Sequence, residues 1–176
     1  MLKISERREK QRKAHTALHE AGHAVLSILH GAKIHEVDME GNSELFAFVK
    51  RECLTQQALN NHDAPGEKMK LPLGENREAV KKAALLDAVI LLGGPALDKL
   101  VNQKEDQWDI QAAASYVTLA EDCNGVFTKR AEETLQLLYY RTMTEVKVNR
   151  PSIERVAKLF LSGKRNFSQA DIEAVM

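Results

Sequence analysis

From Thr16 to Leu29 the chain spells a helix that has to be buried. Ala17, Leu18, Ala21, Ala24, Val25, Leu26, Ile28 and Leu29 make a good helix former that is apolar on much of its circumference. Yet this run carries His19, Glu20 and His23. On a helix, positions i and i+4 share a face. The two imidazoles therefore point the same way and can grip one metal ion, with Glu20 beside them. Polar groups are costly to bury without partners, and a metal satisfies all three at once. His19-Glu20-Ala21-Gly22-His23 is an H-E-x-x-H pattern, the zinc-peptidase arrangement in which the Glu is the general base. The plainer alternative is an ordinary helix with two hydrogen-bonded core histidines and a surface glutamate.

The chain of 176 residues suffices for one domain with a core of its own, spanning 1–176. Lysine and arginine (25) balance aspartate and glutamate (25), which argues against a nucleic-acid binder. Residues 1–14 are locally basic and read as a solvated arm or a helix start. Cys53 and Cys123 make neither a disulfide framework nor a cysteine zinc site. No apolar run is long enough for a signal core or a bilayer span, so the expected localisation is cytoplasmic, with no membrane segment.

The spacing predicts a mainly α (α+β) fold with a small antiparallel hairpin or sheet beside the H-E-x-x-H helix. That helix should run from about Ser5 to Gly31, a common type of terminator. Lys33–Met39 and Leu45–Val49 read as two strands around turn chemistry at Glu40–Ser43, with Phe46 and Phe48 on one face. Residues 54–76 are polar, contain Pro65, Gly66, Pro72 and Gly74, and read as a long loop. Helices are expected over Arg77–Leu92, Asp109–Ala120 and Thr128–Val148, and again after Pro151 as far as Gly163. Gly93-Gly94 either admits another backbone or ends a helix, and Ala96–Val101 can continue helically. Ser168 with Asp171 looks like an N-cap pair for a last short helix.

A catalytic zinc usually has three protein ligands and one position for water. A third histidine in the same helix is missing, since Leu29 stands at that position. His15 and His30 lie near the same stripe, but about 6–11 Å further along the axis, too far to share one ion with both. They are expected to serve in capping, packing or the pocket. A carboxylate from another helix is needed, and Asp87, Asp98, Glu105, Asp106 and Asp109 are the candidates.

These residues carry a resemblance. Thr16 to Ala24 is similar to the zinc helix of the FtsH family, the membrane-anchored ATP-dependent zinc proteases. Leu91-Leu92-Gly93-Gly94-Pro95-Ala96 resembles that family's second core helix, and Asp109-Ile110-Gln111-Ala112-Ala113 the helix supplying its third ligand. Arg150 to Ile172 resembles its last helices, so that the likeness covers most of residues 15 to 175. The resemblance implies that His19, His23 and Asp109 bind Zn2+ and that Glu20 is the catalytic base. The departures are Pro95 where the family has Arg, and Gln103 to Trp108 in place of its Gly-rich, Thr-containing run.

The expected activity is zinc-dependent endopeptidase chemistry on a peptide or unfolded protein substrate, laid along the strand at Leu45–Val49. With no phosphate-binding loop of the ATPase type in this sequence, a separate ATPase or a dedicated protein partner is expected to present folded substrates. The resembling family forms hexameric rings, which leaves a homo-oligomer open. The rivals are a non-catalytic zinc-binding scaffold on the same groove, a different small H-E-x-x-H peptidase with a Glu or His third ligand, and a helical interaction domain in which the motif is accidental.

Overall fold

The computed structural model describes residues 2–40, 47–60, 76–122 and 125–176. It is mainly helical, with one three-stranded antiparallel sheet. The 28-residue helix α1 (Leu2–Leu29) begins earlier than the sequence suggests, so the basic segment is its first turns. Gly31, at φ +79°, turns the chain out of it into a left-handed conformation that glycine adopts without steric cost.

Strand β1 (Ile34–Asp38) pairs antiparallel with β2 (Phe48–Arg51) on one side and with the two-residue β3 (Asn166–Phe167) on the other. The strand order is β2-β1-β3, with a bulge between Ile34 and Glu36. The second strand thus lies further along than the expected Leu45–Val49. Leu45, Phe46 and most of the expected turn fall outside the described residues. The short β3 was not legible, because two residues carry no alternation to read.

The expected loop at 54–76 is corrected at its start, where Leu54–Asn60 forms helix α2. Its opening N–H groups are held by a distant residue. Asp87 accepts from the backbone N–H of Leu54 at 3.2 Å and of Thr55 at 2.7 Å. A cap supplied from 32 positions away leaves no local signature. Residues 61–75 of that expectation lie outside the described residues.

The remaining helices are α3 (Arg77–Leu91), α4 (Gly93–Leu100), α5 (Gln107–Ala120), α6 (Lys129–Val148), α7 (Arg150–Phe160) and α8 (Gln169–Glu173). Asp106 caps α5 through Trp108, and Thr128 caps α6 through Ala131. Ser168 and Asp171 form a full capping box on α8, as their spacing suggests.

The core is built around α1. Ala17, Ala21, Ala24, Val25 and Leu26 are fully buried against Ile153, Val156, Ala157 and Phe160 of α7, with Phe167 and Ile172 closing the end. A second cluster joins Ala88 and Leu92 to Ala113, Val117 and Ala131 between α3, α5 and α6. At the α1–α4 crossing the two backbones touch. A Cβ on Gly22 would lie 2.9 Å from the carbonyl oxygen of Gly93. Gly93 therefore both starts a new helix and admits a neighbouring backbone. No helix among the described residues is long and apolar enough to cross a membrane.

Candidate metal centre

His19 and His23 leave α1 from one face and meet Asp109, which projects from the first turn of α5. The Asp109 Oδ2 atom lies 3.0 Å from His19 Nε2 and 3.1 Å from His23 Nε2. The two Nε2 atoms are 3.1 Å apart, with their rings 75° from coplanar. These three side chains form a group able to hold a metal ion. Ligand atoms at ~2.0–2.1 Å from one tetrahedral ion stand roughly 3.3 Å from one another. A few tenths of an ångström of spreading would fit the trio to an ion.

The outer faces of both rings fix their tautomers. His23 donates Nδ1–H to the Ile90 carbonyl at 2.9 Å. His19 donates Nδ1–H to Asp98 Oδ2, also at 2.9 Å. In the neutral rings the Nε2 atoms are then lone-pair acceptors, and both aim at a carboxylate oxygen that is an acceptor too. Three converging acceptors repel unless a positive charge sits among them. Burial works against charge on His19, but hydrogen bonds to Asp109 and Asp98 outweigh it and raise its pKa to about 10. Burial likewise pushes Asp109 up, and the bonds to His19 and His23 overcome it and hold the carboxyl well below its ordinary range. Without a metal a proton on the His19 ring supplies the positive charge between these groups, and the same two imidazoles and carboxylate are a donor set that could hold a metal ion in its place.

Asp98 is the residue that sequence reasoning placed only among the possible ligands. Its two oxygens are taken by His15 Nε2 at 2.8 Å and His19 Nδ1 at 2.9 Å, on the far side of the ring from the convergent atoms. It stands behind a candidate ligand, in the carboxylate–histidine arrangement known to orient metal-binding imidazoles. His15 is bound to Asp98 and lines the larger cavity. The other candidates are engaged elsewhere. Asp87 is paired with Arg51 at 2.6 Å, Glu105 with Lys99 at 3.1 Å, and Asp106 caps α5. His30 meets Glu145 at 2.8 Å.

In the sequence Gly94 stands out only as part of a glycine pair; the structure gives it a specific task. A Cβ there would lie 2.6 Å from His23 Nε2 and would overlap the His19 ring as well. The imidazoles occupy the volume that any other residue would fill.

Glu20 lies beside the trio, 9% exposed, and makes no hydrogen bond among the described residues. Burial raises its pKa, partly countered by His23 and His19. Two cavities, of about 560 and 450 Å3, meet at Glu20 and His19. The larger is walled by His15, Thr16, Asp98 and residues 104–108; the smaller by His23, Asp109, Leu91 and the chain from Ala47 to Val49. The centre is thus reached by an open cleft. No protein-family model matches the chain, and no curated protein matches it.

Proposed function

We propose that this protein is a zinc-dependent metalloendopeptidase, with His19, His23 and Asp109 as metal ligands and Glu20 as general base. The observation that carries the reading is the Glu20 carboxylate. Its residue is 9% exposed, it makes no hydrogen bond among the described residues, and its oxygens open onto two cavities next to a group that could hold a metal ion. A purely structural metal site has no use for a carboxylate held free of the fold's hydrogen bonds at the mouth of a cleft. Two imidazoles and a carboxylate form a donor set suited to zinc. The similarity of Thr16 to Ala24 and of Asp109 to Ala113 to the FtsH peptidase helices points the same way.

Bound zinc would supply Lewis-acid chemistry, acidifying a water and polarising a carbonyl. The chain's own residues do the rest. Asp98 holds the His19 ring with Nε2 facing the cleft, and the Ile90 carbonyl does the same for His23. Glu20, destabilised as a carboxylate by burial, takes a proton from the attacking water at its carboxylate oxygen and delivers it to the leaving amine. An extended peptide has a docking edge in β2, the outer strand of the sheet, whose Phe48 and Val49 line the smaller cavity.

The test is Glu20→Gln, assayed on a broad peptide library with metal content measured in parallel. The expected result is loss of cleavage by about 10²–10⁴-fold with metal retained. If wild type and variant are equally inert while both bind metal, the groove is a non-catalytic scaffold and the peptidase reading is wrong.

A further inference from the structure

Trp108, the sole tryptophan of the chain, is 82% exposed, the largest exposure among the large apolar side chains described. Its position is not that of a stray surface residue. It sits one residue before the ligand Asp109 in the first turn of α5, and its backbone N–H is held by Asp106 Oδ1 at 2.7 Å. The buried side of α5 is formed by Ala113, Val117, Thr118 and Ala120, so the indole takes no part in the core. It lines both cavities that meet at Glu20. The other strongly exposed apolar side chains, Leu137 and Tyr140 of α6 among them, line neither.

The two cavities share His19, Glu20, Ala47, Asp106 and Trp108 and differ in what each adds. The larger adds His15, Thr16, Asp98, Lys104, Glu105 and Gln107. The smaller adds Phe48, Val49 and Leu91 to Trp108 and Ala47 as its apolar part, beside Arg51, His23 and Asp109. Its volume of about 450 Å3 is ample for one large side chain. An indole offers a wide apolar face at little conformational cost, and such faces prefer aromatic and aliphatic partners.

We propose that Trp108 is a specificity-determining residue, and that the cavity it forms with Phe48, Val49 and Leu91 receives a large apolar side chain of a peptide lying in the cleft. The inference rests on the peptidase reading and names the substrate class of that site. Specificity then comes from α5 itself: the turn that presents a metal ligand also presents the apolar wall.

The experiment uses matched peptides that differ only in carrying Phe, Leu, Ser or Asp at one internal position. Cleavage is measured with zinc-loaded wild type, Trp108→Ala and Trp108→Phe. Binding is measured with zinc-loaded Glu20→Gln by intrinsic fluorescence, which reports from Trp108 alone, and with Glu20→Gln/Trp108→Ala by anisotropy of labelled peptide. The expected result is a fluorescence change with Phe and Leu peptides and none with Ser or Asp. Trp108→Ala should lower kcat/KM for the Phe peptide by at least about tenfold and leave the Ser peptide within about twofold, and Trp108→Phe should restore the preference. Equal selectivity in wild type and Trp108→Ala overturns the inference while leaving the peptidase reading intact. Selective binding of apolar peptides without any cleavage overturns the peptidase reading and leaves Trp108 as the selectivity element of a binding groove. Absence of peptide binding and of cleavage overturns both.

Discussion

Two carboxylate clusters, one around Asp87 and one around Asp109, are built on opposite plans. Asp87 is fully buried and closed on itself. It accepts from Arg51 Nη1 at 2.6 Å, from the Thr55 hydroxyl at 2.6 Å and backbone N–H at 2.7 Å, from Leu54 N–H, and from the Cys53 thiol at 3.3 Å. Every donor has its acceptor, and the result is a clamp that fixes β2 and α2 onto α3. Around Asp109 the balance is reversed. One Asp109 oxygen is shared by two imidazole nitrogens that also face each other, Glu20 has no partner among the described residues, and the side chains open onto cavities. A saturated polar cluster serves the fold, whereas one whose donors converge on a single shared oxygen beside an open cavity is a candidate binding site.

This contrast can be broken by exchanging the expected consequences. Asp87→Ala strands a nearly buried Arg51 and should cost about 3–5 kcal/mol of unfolding free energy in denaturant titration. Metal affinity of the folded fraction should hardly change. If Asp87→Ala instead removes metal and spares stability, the two clusters have been assigned the wrong way round.

Asp98→Ala leaves all three proposed ligands in place and removes only the group that orients His19. Metal affinity should fall about 10–100-fold, measured by competition with a chelator. An unchanged affinity would mean that the ring is fixed by packing alone. Gly94→Ala sharpens the same point from the other side of the rings. Its methyl group has to displace both imidazoles, at a cost of about 1–3 kcal/mol shared between stability and metal binding.

The smallest effect is a slope. Burial pushes the Asp87 carboxyl up, but the Thr55 and Arg51 bonds prevail and hold it below the ordinary 3.8. A group whose folded pKa is depressed adds stability in full above its unfolded value and loses it as pH falls through the lower, folded one. Asp87→Asn should therefore show a shallower loss of stability below about pH 4 than wild type. A parallel slope would mean that Asp87 takes no part in acid unfolding.

Much of this molecule was legible because its signals are local. The i, i+4 spacing of His19 and His23, the capping pair Ser168 and Asp171, and the stripe through Thr142 and Val146 all act within a few residues of themselves. What escaped reading depends on distant parts of the chain. Helix α2 is capped by Asp87, β3 exists through pairing with Val37 and Asp38, and Asp98 supports a histidine 79 positions away. Residue spacing alone left Asp87, Asp98, Glu105, Asp106 and Asp109 as equals. The fold separates them, because only Asp109 places an oxygen between the two imidazoles.

The most direct test of the account is the metal content of the purified protein after equilibration with Zn2+ and removal of free ion, wild type beside His19→Ala. The wild type should retain about one ion per chain and the variant a small fraction of that, with its helical content intact. Wild type without bound metal, or a variant that holds it equally well, would contradict the assignment of His19, His23 and Asp109 as a metal centre.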